Sequence, residues 1–235
     1  MFFKRNLMLI ATFLFVGFLS TLWLNSKKIK NENVKEGKSM FFKLKENLKP
    51  QNLIGISPNQ IEQHWKLYEG YVTQSNKLQE ELNKMLAAGE SSSLIYSDRR
   101  RRLGFELNGI VLHELYFENL TAGIAQPKSG KFIETITKQF GSFDKWKEDF
   151  INCGKTRGIG WAILYFDPSS KTMVNSFIAE HEIGHIATFK PILVMDVWEH
   201  AYMVDYSATD RGKYIDAFMQ NINWEIVEKR FNLAI

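Results

Sequence analysis

Asp196 and His200 lie four residues apart in Asp196-Val197-Trp198-Glu199-His200, just after the apolar run Ile192-Leu193-Val194-Met195. Residues four apart share a helix face, and at the end of a strand they can also converge on one point. A carboxylate and an imidazole are a ligand pair for a first-row transition metal. A rival signal stands upstream. His181-Glu182-Ile183-Gly184-His185 spells H-E-x-x-H, which on a helix places two histidines toward zinc with a glutamate to polarise water, as in a zinc metallopeptidase. The strand-like stretches on both sides leave little room for that helix.

Five histidines are present in the chain. Of the others, His64 sits on the inner face of a helical pattern with Tyr68 and Tyr71, and His113 sits in Leu112-His113-Glu114-Leu115-Tyr116-Phe117. A lone histidine on such a face is usually a hydrogen-bonded core residue. Two of them facing Asp196 and His200 would make a site of three nitrogens and one oxygen, suited to Fe, Mn or Zn. With Fe or Mn, an open fifth position would make it redox-capable.

The elements that must position these residues can be read from the pattern. Ser57-Pro58-Asn59-Gln60 opens a helix, with serine as cap, proline in the first turn and Gln60 at the capping-box position. It runs through Ile61, Leu78 and Met85 to Ala88-Gly89. After Ser91 to Ser93, a second helix is expected from about Asp98, carrying Leu103, Leu107, Val111 and Leu115. Residues 51–125 thus read as an antiparallel helical hairpin. In 126–235, Lys131 to Phe140 and Ser142 to Asn152 read as short helices. Gly160 to Phe166, Thr172 to Ala179 and Pro191 to Val197 read as strands of a small antiparallel sheet. Arg211 to Gln220 and Trp224 to Phe231 close the chain as helices. The fold class is α+β.

Residues 1–26 read as a signal peptide or membrane anchor, because Leu7 to Leu24 is an uncharged apolar run between basic residues. Residues 27–50 read as a polar linker. The expectation is an exported chain, extracytoplasmic (periplasmic) or membrane-anchored through Leu7–Leu24. A net charge of +4 is too small to indicate nucleic acid, and Arg99 to Arg102 reads as a solvated helix start whose field could attract an anion. The single cysteine, Cys153, excludes an intrachain disulfide.

Several motifs resemble the iron/manganese superoxide dismutase family: DVWEHAY at Asp196 to Tyr202, GIGWAIL at Gly158 to Leu164 and FGSFDKWKEDF at Phe140 to Phe150. RGKYIDAF at Arg211 to Phe218 and NWEIVEKRF at Asn223 to Phe231 add to these, with looser matches around His64 and in NGIVLHELYF at Asn108 to Phe117. The resemblance runs from about residue 50 to the end. It implies a helical hairpin joined to a domain with a three-stranded sheet flanked by helices. It also implies conversion of superoxide to oxygen and hydrogen peroxide at one Fe or Mn ion per chain. The implied ligands are His64, His113, Asp196 and His200. Tyr71 resembles the gateway tyrosine of the substrate channel, Trp161 the wall beside the metal, and His181 the group that hydrogen-bonds metal-bound solvent. Glu199 resembles the residue that crosses a homodimer interface, and Arg211 an arginine of the substrate funnel. Seven steps separate His64 from Tyr71 where the family pattern has eight, Tyr68 replaces the usual histidine between them, and Met203 stands where a tyrosine usually follows Tyr202. The alternatives are a non-catalytic metal-binding relative with the same fold and the HEIGH zinc peptidase.

Overall fold

The computed structural model describes residues 42–235. The segment expected to be a signal or anchor lies outside the described residues. Among the described residues, no helix is long and apolar enough to cross a membrane.

Helix α1 (Pro58–Ala87) starts at Ser57, whose side chain accepts from the Gln60 amide, with proline in the first turn. These satisfy the N-terminal donors that a helix leaves unpaired. Ile61, His64, Trp65, Tyr68, Val72, Leu78 and Leu82 form its buried stripe, the 3.6-residue period of one face. Helix α2 (Leu94–Glu118) is capped by Ser93, which accepts from Tyr96. It begins four residues before the expected Asp98, because a serine of the expected loop is itself the cap. Leu103, Glu106, Gly109, Ile110, His113 and Phe117 lie on its inner stripe, and α1 and α2 pack as a hairpin. Residues 42–49 pack on this hairpin as well: Phe42, Leu44 and Leu48 lie against the core, so the folded part starts before residue 50.

Helices α3 (Lys131–Phe140) and α4 (Phe143–Gly154) are separated by Gly141 in the left-handed conformation and by the Ser142 cap. The sheet follows, with β1 (Gly160–Asp167) in the centre, β2 (Thr172–Ala179) on one side and β3 (Lys190–Asp196) on the other. Both pairings are antiparallel. A central strand is covered on both faces, which explains the apolar run of β1, buried from Gly160 to Phe166. The register sets Trp161 opposite Ile178 on one side and Asp196 on the other. Helices α5 (Arg211–Gln220) and α6 (Trp224–Ala234) close the chain.

One apolar core runs from the hairpin through the sheet to α6, including Trp65, Phe117, Trp146, Trp161, Phe218 and Phe231. Each such side chain contributes about 1.5–3 kcal/mol by leaving water. Polar groups lock the hairpin to the sheet. Asn119 Nδ2 donates to the Val194 carbonyl, and Arg230 bridges Asn119, Glu118 and the Leu115 carbonyl. These ties bring α2, which carries His113, against β3, which ends in Asp196.

Candidate metal centre

Four side chains from four places in the chain meet in this contact. His64 comes from α1, His113 from α2, Asp196 from the last residue of β3, and His200 from the 3-10 turn Glu199–Ala201 just beyond. One ligand atom of each lies within 4.8 Å of all the others. The Nε2 atoms of His64, His200 and His113 stand 3.0, 3.2 and 3.8 Å from Oδ2 of Asp196. His64, His113 and Asp196 are fully buried and His200 is half-buried. Asp196 and His200 converge at a strand end, and no shared helix is needed.

The second atoms of these groups are held by their surroundings. Asp196 Oδ1 accepts from the Trp198 amide at 2.8 Å, so Oδ2 faces the imidazoles. His113 donates its Nδ1 proton to the Gly109 carbonyl at 2.6 Å, which leaves a lone pair on Nε2. That Nε2 is buried and has no hydrogen-bond partner. A buried lone pair pointing at a carboxylate is costly unless a cation lies between them. Burial lowers the pKa of His64 and that of His113 still further, so both imidazoles are neutral. Burial also opposes charge on Asp196, but His200 and His64 outweigh it and hold the carboxyl below the usual range. Three imidazoles and one carboxylate fit a first-row divalent or trivalent cation.

Further polar groups set the positions of the ligands. Tyr214 Oη donates to the Asp196 carbonyl at 2.8 Å and lies 3.1 Å from Tyr116 Oη. Gln60 is buried; its Nε2 donates to the His200 carbonyl and its Oε1 accepts from the Val204 amide. The sequence places Gln60 in a capping box, but only half of that holds. Ser57 caps the Gln60 amide, while the Gln60 side chain turns inward to fix His200. Its position one turn before His64 was the available signal. Tyr116 and Tyr214 carry no such signal, since their patterns read simply as core.

Tyr71 reaches the centre despite the short spacing. Seven residues at 100° each return a helix to nearly the same face. The Tyr71 ring lies 5.0 Å from that of His113, and its hydroxyl is 2.7 Å from His181 Nε2. The ring of Tyr71 fills the space beside Gly109: a Cβ there would stand 2.5 Å from Tyr71 Cδ1.

Trp161 Nε1 donates to His181 Nδ1 at 3.0 Å. An indole N–H only donates, so neutral His181 carries its proton on Nε2 and donates it to Tyr71 Oη. Burial pushes the His181 pKa down to about 4 and raises that of Tyr71. Both groups are therefore neutral near pH 7. Arg211 Nη1 donates to the Gly158 carbonyl at 2.9 Å, and Glu199 is exposed beside His200.

The zinc reading of HEIGH fails on geometry. His181 to His185 form a turn, with Gly184 at φ 107° and Ala179 bridged to Ile183. His185 faces away from His181's ring environment, with Nδ1 on Tyr165 and Nε2 on the His181 carbonyl. The only group of metal-ligand atoms among the described residues is the one around Asp196.

The fold and site define a protein with a buried mononuclear centre between a helical hairpin and a small antiparallel sheet. Comparisons give that class a family. The family described as iron/manganese superoxide dismutases, C-terminal domain, matches residues 128–230. The chain is 38% identical over 196 residues to "Superoxide dismutase [Fe]" of Aquifex pyrophilus, covering 81% of this chain and 91% of that protein. It is 38% identical over 176 residues to the protein of the same name from Pyrobaculum aerophilum, covering 73% and 82%. "Superoxide dismutase [Mn/Fe]" of Aeropyrum pernix is 35% identical over 198 residues, covering 79% and 89%. The chain belongs to the iron/manganese superoxide dismutase family.

Proposed function

We propose that the chain is a superoxide dismutase that holds one Fe or Mn ion through His64, His113, Asp196 and His200. The observation that carries this is the convergence of the four ligand atoms, with the His113 Nε2 lone pair buried and unpaired among them. The names of the relatives point the same way. A bound Fe or Mn ion supplies a one-electron couple, through which one superoxide is oxidised to oxygen and a second, with two protons, is reduced to hydrogen peroxide.

The side chains do the rest. Asp196 offsets part of the cation's charge, while Tyr214, the Trp198 amide and Gln60 hold the ligands in place. Tyr71 receives the His181 Nε2 proton in a hydrogen bond, so its own proton is free to be presented to substrate. The raised Tyr71 pKa keeps that proton in place at neutral pH. Trp161 fixes the His181 tautomer and closes the wall of the site. Arg211 serves the substrate funnel. Glu199 bridges to a second copy in a homodimer. The chain is exported, with Leu7–Leu24 acting either as a cleaved signal or as a membrane anchor.

The test is reconstitution with Fe or with Mn, followed by superoxide decay against His113→Ala. The expected result is one metal per chain and rapid decay, both lost in the variant. Metal bound with no rate above the variant's would refute catalysis.

A further inference from the structure

The turn between α1 and α2 is the pole of the hairpin farthest from the metal centre. Leu86 is 22 residues beyond His64, roughly 33 Å along the axis. This pole has a small core of its own, Leu78, Leu82 and Leu103 with Tyr96 and Leu107 against it. Outside that core, Leu86, Leu94 and Ile95 are 57%, 89% and 62% exposed. They occupy the last turn of one helix and the first of the next, on either side of the polar Gly89–Ser93. Arg99 and Arg102 are paired with Glu81 and Glu106. Arg100 and Arg101 are exposed and, among the described residues, form no ion pair; Arg100 lies on the Tyr96 ring. Glu90 and Asp98 are also exposed here, Asp98 within 3.8 Å of Arg99, so the positive charge of the tip rests on Arg100 and Arg101. An apolar tip with such a basic edge suits an anionic lipid surface.

A second observation gives this pole a direction. Phe42 donates its amide to Asn76 Oδ1 and accepts from Asn76 Nδ2. The Lys45 amide donates to Tyr68 Oη, and Lys49 pairs with Glu62. The partners fall at ever earlier positions of α1, so the segment runs antiparallel to that helix. Its N-terminal end therefore lies toward the turn. Seventeen residues separate the apolar run Leu7–Leu24 from Phe42, a reach of at most about 60 Å.

We propose that the α1–α2 turn docks on an anionic lipid surface, with Leu86, Leu94 and Ile95 at the acyl boundary and Arg100 and Arg101 against the headgroups. This rests on the membrane-anchor reading of Leu7–Leu24. Docking would hold the metal centre facing away from the bilayer.

The experiment uses the full metal-loaded chain with a Leu94→Cys label bearing an environment-sensitive fluorophore. Vesicles are of phosphatidylcholine with or without phosphatidylglycerol. A Leu233→Cys label, on the exposed end of α6, serves as control. Expected are flotation with vesicles and, on phosphatidylglycerol, a blue shift and lipid-quencher sensitivity at Leu94 alone. Arg100→Gln with Arg101→Gln should lower the docked-to-free ratio about 30-fold, two charges at about 1 kcal/mol each. A chain that floats while the Leu94 label stays unchanged overturns docking and leaves the anchor intact. A chain that does not float overturns the anchor, and docking with it. A blue shift without vesicles that grows with protein concentration assigns the tip to a second copy and overturns the lipid assignment.

Discussion

Replacing Gly109 by alanine puts a methyl carbon 2.5, 2.7 and 2.8 Å from Cδ1, Cγ and Cε1 of Tyr71. These are atoms of a rigid ring close to its backbone attachment, so the ring has to move as a whole. Restoring an ordinary 3.4 Å contact displaces it by about 0.9 Å. The 2.7 Å bond from His181 Nε2 to Tyr71 Oη is then stretched or lost. Overpacking costs about 1–3 kcal/mol, and exchanging glycine for alanine inside a helix returns about 1 kcal/mol. The net loss of stability is about 0–2 kcal/mol, a fall in Tm of no more than about 8 °C. The ligands do not move, since His113 keeps the Gly109 carbonyl, so metal content should be unchanged. Activity should fall on the order of 100-fold, the cost of a misplacement of roughly 1 Å. Superoxide decay, metal content and thermal unfolding of Gly109→Ala test this together. A variant with full metal and a wild-type rate would refute the assignment of Tyr71.

Two further outcomes follow from the surroundings of the centre. Trp161→Phe removes the N–H that fixes the His181 tautomer; activity should fall about 10–100-fold with metal retained, measured as superoxide decay per bound metal. Burial and Asp149 push the Cys153 thiol up to about 11, so the thiolate is scarce at neutral pH. Alkylation by iodoacetamide at pH 7.5 should be about 100-fold slower than in the unfolded chain, and should accelerate as pH rises toward 11.

The hairpin, the three strands and the Asp196–His200 pair were legible because each leaves a local mark: a serine cap, a 3.6-residue stripe, a turn at Asp167 to Ser170, or the run DVWEH. His64 and His113 leave none, and stood out only when set against that pair. The helix start at Leu94 was not legible, because three successive serines offer three possible caps and only packing selects Ser93. The HEIGH signal misled for a related reason. Its spelling fits a helix, but Gly184 and the bridge from Ala179 to Ile183 make it a turn. The Gln60 tie and the Tyr71 ring over Gly109 are contacts between distant parts of the chain, and spacing within one helix does not record them. Phe42, Leu44 and Leu48 sit among lysines, so their docking on α1 was hidden in a segment that reads as a linker.

The most direct test of the central claim is metal analysis of the native protein joined to its rate of superoxide decay. One Fe or Mn per chain, with a rate that rises in proportion to metal content, is the predicted result. Stoichiometric zinc with no superoxide-dependent rate would contradict it.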